Sequence, residues 1–205
     1  VASKLVACYG TPRGGTSYAN HLFNANGIRT FHEQQGPHGF VCGFAALGPR
    51  IRGRDMFNPA DFTYKVGIHL LRHPLDVSET LGPIVASRYK SPPWGLVGDD
   101  QINALRAWVY IHERIGVVLE KGHSHVFCVR TGKVDDWVPV FNALGIKTIK
   151  LPSPDQHNSR QRRSPRVSWE KWRDRDQEFY ERGLEITKKH QLRSFKDPKT
   201  TLPAM

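Results

Sequence analysis

The sequence lacks the features that cross-link a chain or carry it through a membrane. It has three cysteines, Cys8, Cys42 and Cys128, and no C-x-x-C pair. Cys8 and Cys128 fall in expected buried strands, where Cys behaves as a small apolar residue, and the pattern fits a reducing compartment and offers no zinc site. No apolar run approaches the roughly 18–20 residues of a membrane-crossing helix. The opening residues, Val1 to Leu5, carry no signal-peptide pattern, so a cytoplasmic protein without a membrane span is expected. Acidic residues are also scarce: 19 Asp and Glu stand against 30 Lys and Arg, a formal net charge of +11. Such an excess attracts nucleic acid, anionic surfaces or polyanionic small molecules. It is uneven, with Arg160, Arg162, Arg163 and Arg166 clustered and Arg50, Arg52 and Arg54 alternating. No RNA-binding signature with interleaved aromatics accompanies it, so nucleic acid is not the expected partner.

What is present is an ordinary globular mixture of 39% apolar and 24% charged residues in 205 positions, enough for one sizeable core. No internal repeat or linker divides it. A single domain over 1–205 is expected, with a loose polar tail over 191–205.

The chain is organised around its first thirty or so residues. Leu5 to Tyr9 is an apolar run that reads as a buried strand, and a tight loop, Gly10 to Ser17, follows it. A helix is expected from about Thr16 to Asn26, with Leu22 and Phe23 facing the core. Strand, glycine-rich turn and helix together make a phosphate cradle, because backbone amides and the helix N-terminus converge on the anion. The departure from a Walker A loop, G-x-x-x-x-G-K-[ST], is informative. Gly10, Gly15 and Ser17 match it, but the lysine position is Thr16, and the positive charge sits at Arg13. The next strong strand, Tyr64 to Leu71, runs into Arg72, where an NTPase usually ends a strand in a magnesium-holding Asp. Arg72 is therefore a second, cationic anchor for an anion, with Pro74 suited to a helical first turn and Thr80 eight residues on. The alternative for Arg72 is an ion pair with Asp76.

These motifs resemble those of the sulfotransferases that use 3′-phosphoadenosine-5′-phosphosulfate (PAPS). YGTPRGGTS is similar to their 5′-phosphosulfate loop, G-x-P-R-S-G-T-[ST]. LLRHPLDVSET is similar to their 3′-phosphate motif, and GIRTFHE to a segment where several members carry a glutamate base. Gly14 departs from the usual Ser, and Thr80 from the commoner Ser. The resemblance spans roughly residues 4–190. It implies a P-loop NTPase-like α/β fold, three-layer, with a mostly parallel sheet and flanking helices, and it implies PAPS as cofactor, PAP as product and no metal requirement. Gly10, Gly14, Gly15, Thr16 and Ser17 would hold the 5′-phosphosulfate with Arg13. Arg72 and Thr80 would hold the 3′-phosphate, with Ser78 as a competitor for Thr80. Asn158 to Arg160 is similar to an Asn-Ser-Arg stretch of the family, which makes Arg160 a further phosphate ligand.

Sulfuryl transfer needs a base for the acceptor, a cation at the bridging oxygen and rigid anion clamps. Arg13 is the expected cation. Glu33 is the expected base, placed by a short strand, Ile28 to Phe31, that should lie beside the first. His32 is the competing base, and His38 and His69 are weaker ones. Trp94, Trp108, Trp169 and Trp172 are stacking candidates for adenine or sugar, with core packing favoured for the last three. The acceptor is a small molecule or glycan, carbohydrate by family analogy, and an acidic one would suit the arginines. Two other functions compete: a P-loop small-molecule kinase and a basic nucleic-acid-binding protein.

The remaining pattern alternates strands and helices. Residues 34–62 read as an irregular active-site loop with a short helix near Val41–Leu47. Helices are expected from Pro74 to about Tyr89, with a kink at Gly82-Pro83, and from Asp99 or Asp100 to about Lys121. A third is expected after Asp135 or Asp136, and a single amphipathic helix after Ser168. Further strands are expected at His125–Arg130 and Ile146–Leu151.

Overall fold

The computed structural model describes residues 2–43, 59–88, 92–152 and 167–192. Its contacts divide the chain into two compact units: Val1–Leu71 with Glu113–Ser159, and Arg72–His112 with Arg160–Met205.

The first unit carries the sheet. β1 (Ala2–Tyr9), β2 (Thr30–His32), β3 (Gly39–Cys42), β4 (Phe62–Leu71) and β5 (His123–Arg130) lie in the order β2-β3-β1-β4-β5. Every described pairing is parallel. The α/β expectation with a parallel sheet and flanking helices therefore holds. The carboxyl-terminal halves of β1 and β4 are buried throughout because interior parallel strands are covered on both faces. On one face, α1 (Thr16–Ala25) and α4 (Val138–Ala143) close a core of Val6, Cys8, Leu22, Phe23, Ile68 and Phe141. Phe23 meets Trp137 edge-on at 5.6 Å between ring centroids. Burying each such side chain contributes roughly 1.5–3 kcal/mol.

Several expectations about this unit are corrected. β2 does not lie beside β1, because β3 stands between them. β3 falls within the stretch read as irregular, and Val41 and Cys42 are strand residues, not the start of a helix. It forms because Gly39 takes φ 143 and lets its backbone press against β1. A Cβ on Gly39 would collide with the carbonyl oxygen of Val6. The amides of Leu5 and Val6 both donate to His38 O, at 2.8 and 3.0 Å. The strand expected at Ile146–Leu151 is absent from the described sheet. Lys150 is drawn off by Asn26, whose side-chain amide donates to Lys150 O and accepts from Lys150 N, each at 2.8 Å. The helix expected after Asp135 or Asp136 starts as a 3-10 turn, Val134–Trp137. Asp136 is taken instead by the amide and guanidinium of Arg130, at 2.9, 2.7 and 2.7 Å.

The second unit contains α2 (Pro74–Arg88), most of α3 (Asp100–Leu119), α5 (Trp169–Arg175) and α6 (Gln177–Lys189). Asp99 caps α3 by accepting from the amides of Gln101 and Ile102. α2 runs through Gly82 and Pro83. Ser168 caps α5, accepting from Lys171 N at 3.1 Å. The single final helix is two, because Asp176 leaves helical geometry at φ −163 and ψ 71. Its carboxylate is gripped by the Arg106 guanidinium at 2.6 and 3.1 Å. Around this pair Trp169 and Trp172 stack at 5.6 Å, and Tyr180 meets both rings edge-on. The Val41–Leu47 helix beyond Gly43 and the arginine cluster at 160–166 lie outside the described residues.

The Gly39 contact gives a direct stability test. Gly39→Ala places a side chain against the backbone of β1 in a left-handed conformation, and the expected cost is roughly 3 kcal/mol in urea unfolding. A loss below about 0.5 kcal/mol, the range of an ordinary surface change, would show that β3 and β1 do not approach as described.

Candidate functional site

Because β1 has β3 on one side and β4 on the other, its carboxyl end is where the strand order changes direction. Open parallel sheets bind ligands at such points. The Gly10–Gly15 loop leaves β1 there. Gly10 N donates to Cys42 O at 3.2 Å, and Gly14 N to Thr11 O at 2.8 Å. Gly43, just after β3, packs so closely on Pro12 that a Cβ would stand 2.7 Å from its nitrogen. Two loop residues adopt left-handed backbone: Arg13 at φ 68 and Gly15 at φ 101. Such a φ is uncommon for an arginine and marks a position that the surrounding structure enforces. Gly14 has no room for a side chain, since a Cβ would lie 2.7 Å from Thr11 Oγ1 and 2.8 Å from Thr11 O. A serine side chain would therefore not fit at this position.

Among the described residues, α1 begins without a side-chain cap. Gly15 is its N-cap, and its first turn holds no acidic residue. The first amides and the positive end of the helix dipole are therefore available to an anion.

His32 and Glu33 reach this loop from the end of β2. Thr16 Oγ1 and His32 Nε2 are 3.0 Å apart, and the same nitrogen is 3.5 Å from Glu33 Oε1. Because both contacts use Nε2, the ring does not pass a proton between its two nitrogens. It either donates to one oxygen or accepts from the threonine. Glu33 also holds left-handed backbone, at φ 62. Its amide donates to Val41 O at 2.9 Å, while Oε1 accepts from Gly43 N at 3.1 Å and Oε2 from Cys42 Sγ at 2.9 Å. The carboxylate is thus fixed against the end of β3, the strand missing from the sequence reading. The imidazole of His32 is held below its ordinary value of 6.5, first by burial and then by the charges of His21 and Arg13, against the raising effect of Glu33.

The sequence reading missed two further residues. Thr131, next after β5, donates from Oγ1 to Gly14 O at 2.5 Å. Thr11 has a fully buried hydroxyl with no hydrogen-bond partner among the described residues. The only sequence signals were hydroxyl residues at strand ends.

Arg72, Ser78 and Thr80 belong to the helical unit. Arg72 is half-buried, and its carbonyl accepts from Trp108 Nε1 at 3.1 Å. Ser78 is buried and donates to Leu75 O at 2.9 Å; half-buried Thr80 donates to Val77 O at 3.3 Å. Both hydroxyls thus spend their proton on their own helix. Ser17 is half-buried in α1. His38 accepts from Arg29 N through Nδ1, a turn contact. Trp94, Trp108, Trp169 and Trp172 are all buried, as core packing requires. Arg160 lies outside the described residues.

Two expectations about metals and thiols are corrected. Cys128 is exposed, because β5 is an edge strand, whereas Cys8 is buried and burial pushes its thiol well up. The expectation that no metal is required is overturned by His69, Cys128 and His190, whose ligand atoms all lie within 4.8 Å of one another. Two imidazoles and a thiolate suit a borderline-soft divalent ion such as zinc. His69 and Cys128 are cross-strand partners, a proximity that sequence spacing does not display. Among the described residues, no helix is long and apolar enough to cross a membrane.

No family model, curated protein or solved structure matches this chain.

The lowered His32 value sets a pH dependence. The unfolded chain binds this proton more readily, so the neutral ring's contribution is complete above about pH 6.5 and is lost as pH falls. The melting temperature of the wild type should drop on acidification from pH 7 to 5, and that of His32→Gln should drop less. Parallel curves for the two proteins would place the pH response elsewhere.

Proposed function

We propose that the chain is a PAPS-dependent sulfotransferase, moving a sulfuryl group to an acceptor hydroxyl, with carbohydrate as the first acceptor class. The observation that carries the reading is the uncapped N-terminus of α1 behind a loop that holds Arg13 and Gly15 in left-handed backbone. The contacts of His32 and Glu33 at the same loop support it.

In this reading the 5′-phosphosulfate lies on the amides and hydroxyls of Gly14, Gly15, Thr16 and Ser17. Arg72 and Thr80 take the 3′-phosphate, as the motif resemblance implies, so that their failure would point to Ser78 or to other cations. The acceptor oxygen attacks sulfur, and its proton passes to the Glu33 carboxylate. The bond from sulfur to the bridging oxygen breaks, and the charge gathering on that oxygen meets Arg13. Glu33 suits the part because Cys42 and Gly43 hold its carboxylate in one orientation, which is the condition for efficient proton transfer. His32, bonded to Thr16, joins the base to the loop.

Calorimetry with PAP, ATP·Mg and an oligonucleotide separates this reading from a kinase and from a nucleic-acid-binding protein. PAP should bind with low-micromolar or better affinity, and preference for either other ligand would overturn the reading. Arg72→Ala should weaken PAP more than adenosine 5′-phosphosulfate, which lacks the 3′-phosphate, by roughly 1.5–3 kcal/mol. Equal losses would move Arg72 off the 3′-phosphate.

With an acceptor found by screening sugars and phenols against labelled PAPS, Glu33→Gln should lower turnover about 10²–10⁴-fold while PAP affinity stays nearly constant. His32→Asn should be milder. The reverse order would transfer the base role to His32.

A further inference from the structure

Thr131 is tied to the sheet and to the loop at once. Its amide donates to Leu71 O at 2.7 Å, continuing the β4–β5 ladder past the last paired residues. Its hydroxyl donates to Gly14 O at 2.5 Å. The side chain also lies against the next residue: a Cβ on Gly15 would stand 2.7 Å from Thr131 Cγ2 and 2.9 Å from Oγ1. A trans peptide is planar, and its C=O and N–H point in opposite directions. With the Gly14 carbonyl turned to Thr131, the Gly15 N–H is turned away from it. That amide stands at the head of the uncapped α1 donors.

A second observation marks the loop as a ligand seat. The Thr11 hydroxyl is fully buried and without a partner among the described residues, 2.7 Å from where a Cβ on residue 14 would be. A buried hydroxyl left unpaired costs free energy, and a bound oxyanion is the kind of group that relieves it.

We propose that Thr131 is a positioning residue of the anion loop, fixing the Gly14–Gly15 peptide so that the Gly15 amide addresses the 5′ anionic group of a bound nucleotide. The inference rests on the reading of this loop as the phosphosulfate site. Thr131 touches no reacting atom; it acts through the peptide it orients. The requirement is for a hydroxyl, so serine serves and alanine does not.

The test compares Thr131→Ala with Thr131→Ser in the full chain by calorimetry, with melting curves as a check on folding. The probes are PAP and adenosine 3′-monophosphate, which lacks the 5′ group. Thr131→Ala should weaken PAP about tenfold and leave adenosine 3′-monophosphate within about twofold, while Thr131→Ser keeps both near wild type. If the alanine variant does not fold, Thr131→Val, which keeps the branched shape without the hydroxyl, replaces it with the same expected loss. Equal PAP affinity with and without the hydroxyl overturns this inference alone. A loss that extends equally to adenosine 3′-monophosphate also overturns it, because that marks general slackening of the fold. If the wild type binds neither nucleotide, the phosphosulfate reading fails and this inference fails with it.

Discussion

The sheet unit depends on a backbone approach that only glycine permits. At Gly39 the chain of β3 runs against β1 with no room for a Cβ, and the two strands pair from Val6 to Tyr9. That contact makes β1 an interior strand and displaces β2 to the edge. It puts the change of strand direction at the end of β1, where the glycine loop begins. It also delivers Cys42 and Gly43 to the underside of that loop, one against the Glu33 carboxylate and the other against both Glu33 and Pro12. A strand of four residues, held by one glycine, thus sets both the topology and the floor of the candidate site.

The site itself is built by over-determination. Arg13, Gly15 and Glu33 all hold left-handed backbone, and each is pinned by neighbours in the sheet unit. Pro12 is pressed by Gly43, Gly14 is clasped by Thr131, and Glu33 is bonded through its amide and both carboxylate oxygens. Strain of this kind persists only where the surroundings supply enough contacts to hold it. The result is a loop whose groups are held in fixed orientation, a condition that lowers the ordering cost of any binding there.

Sequence reading succeeded where a signal is local and contiguous. Leu5–Tyr9 of β1 and Val126–Val129 of β5 are short apolar runs, β4 is apolar for most of its length, α3 has a clear period and an Asp99 cap, and the loop between β1 and α1 stands out by its glycines. It failed where the deciding contact joins distant residues. β3 is disguised by the glycine that makes it possible. Ile146 and Ile149 resemble strand positions, yet Asn26 captures Lys150. A helix that looks continuous after Ser168 breaks because Arg106 claims Asp176. Thr131 and the group of His69, Cys128 and His190 have no spacing to betray them, since both arise from strand ends and cross-strand register. Within the candidate site, the loop, His32 and Glu33 were legible as residue types. The details that give them chemistry were not: the shared Nε2, the Cys42 thiol on the carboxylate and the crowding at Gly14.

The distribution of tryptophan makes the two units optically distinct. Trp94, Trp108, Trp169 and Trp172 belong to the helical unit, and Trp137 alone belongs to the sheet unit, buried against Phe23 of α1. The stacked pair Trp169–Trp172 places two indole transitions 5.6 Å apart and nearly parallel, at 11° between planes. Four chromophores therefore report on one unit and a single one on the other. The emission of that lone indole is a local signal from the packing of Trp137 against Phe23 of α1. A variant retaining Trp137 as its sole tryptophan would isolate the sheet unit's signal from the four indoles of the helical unit.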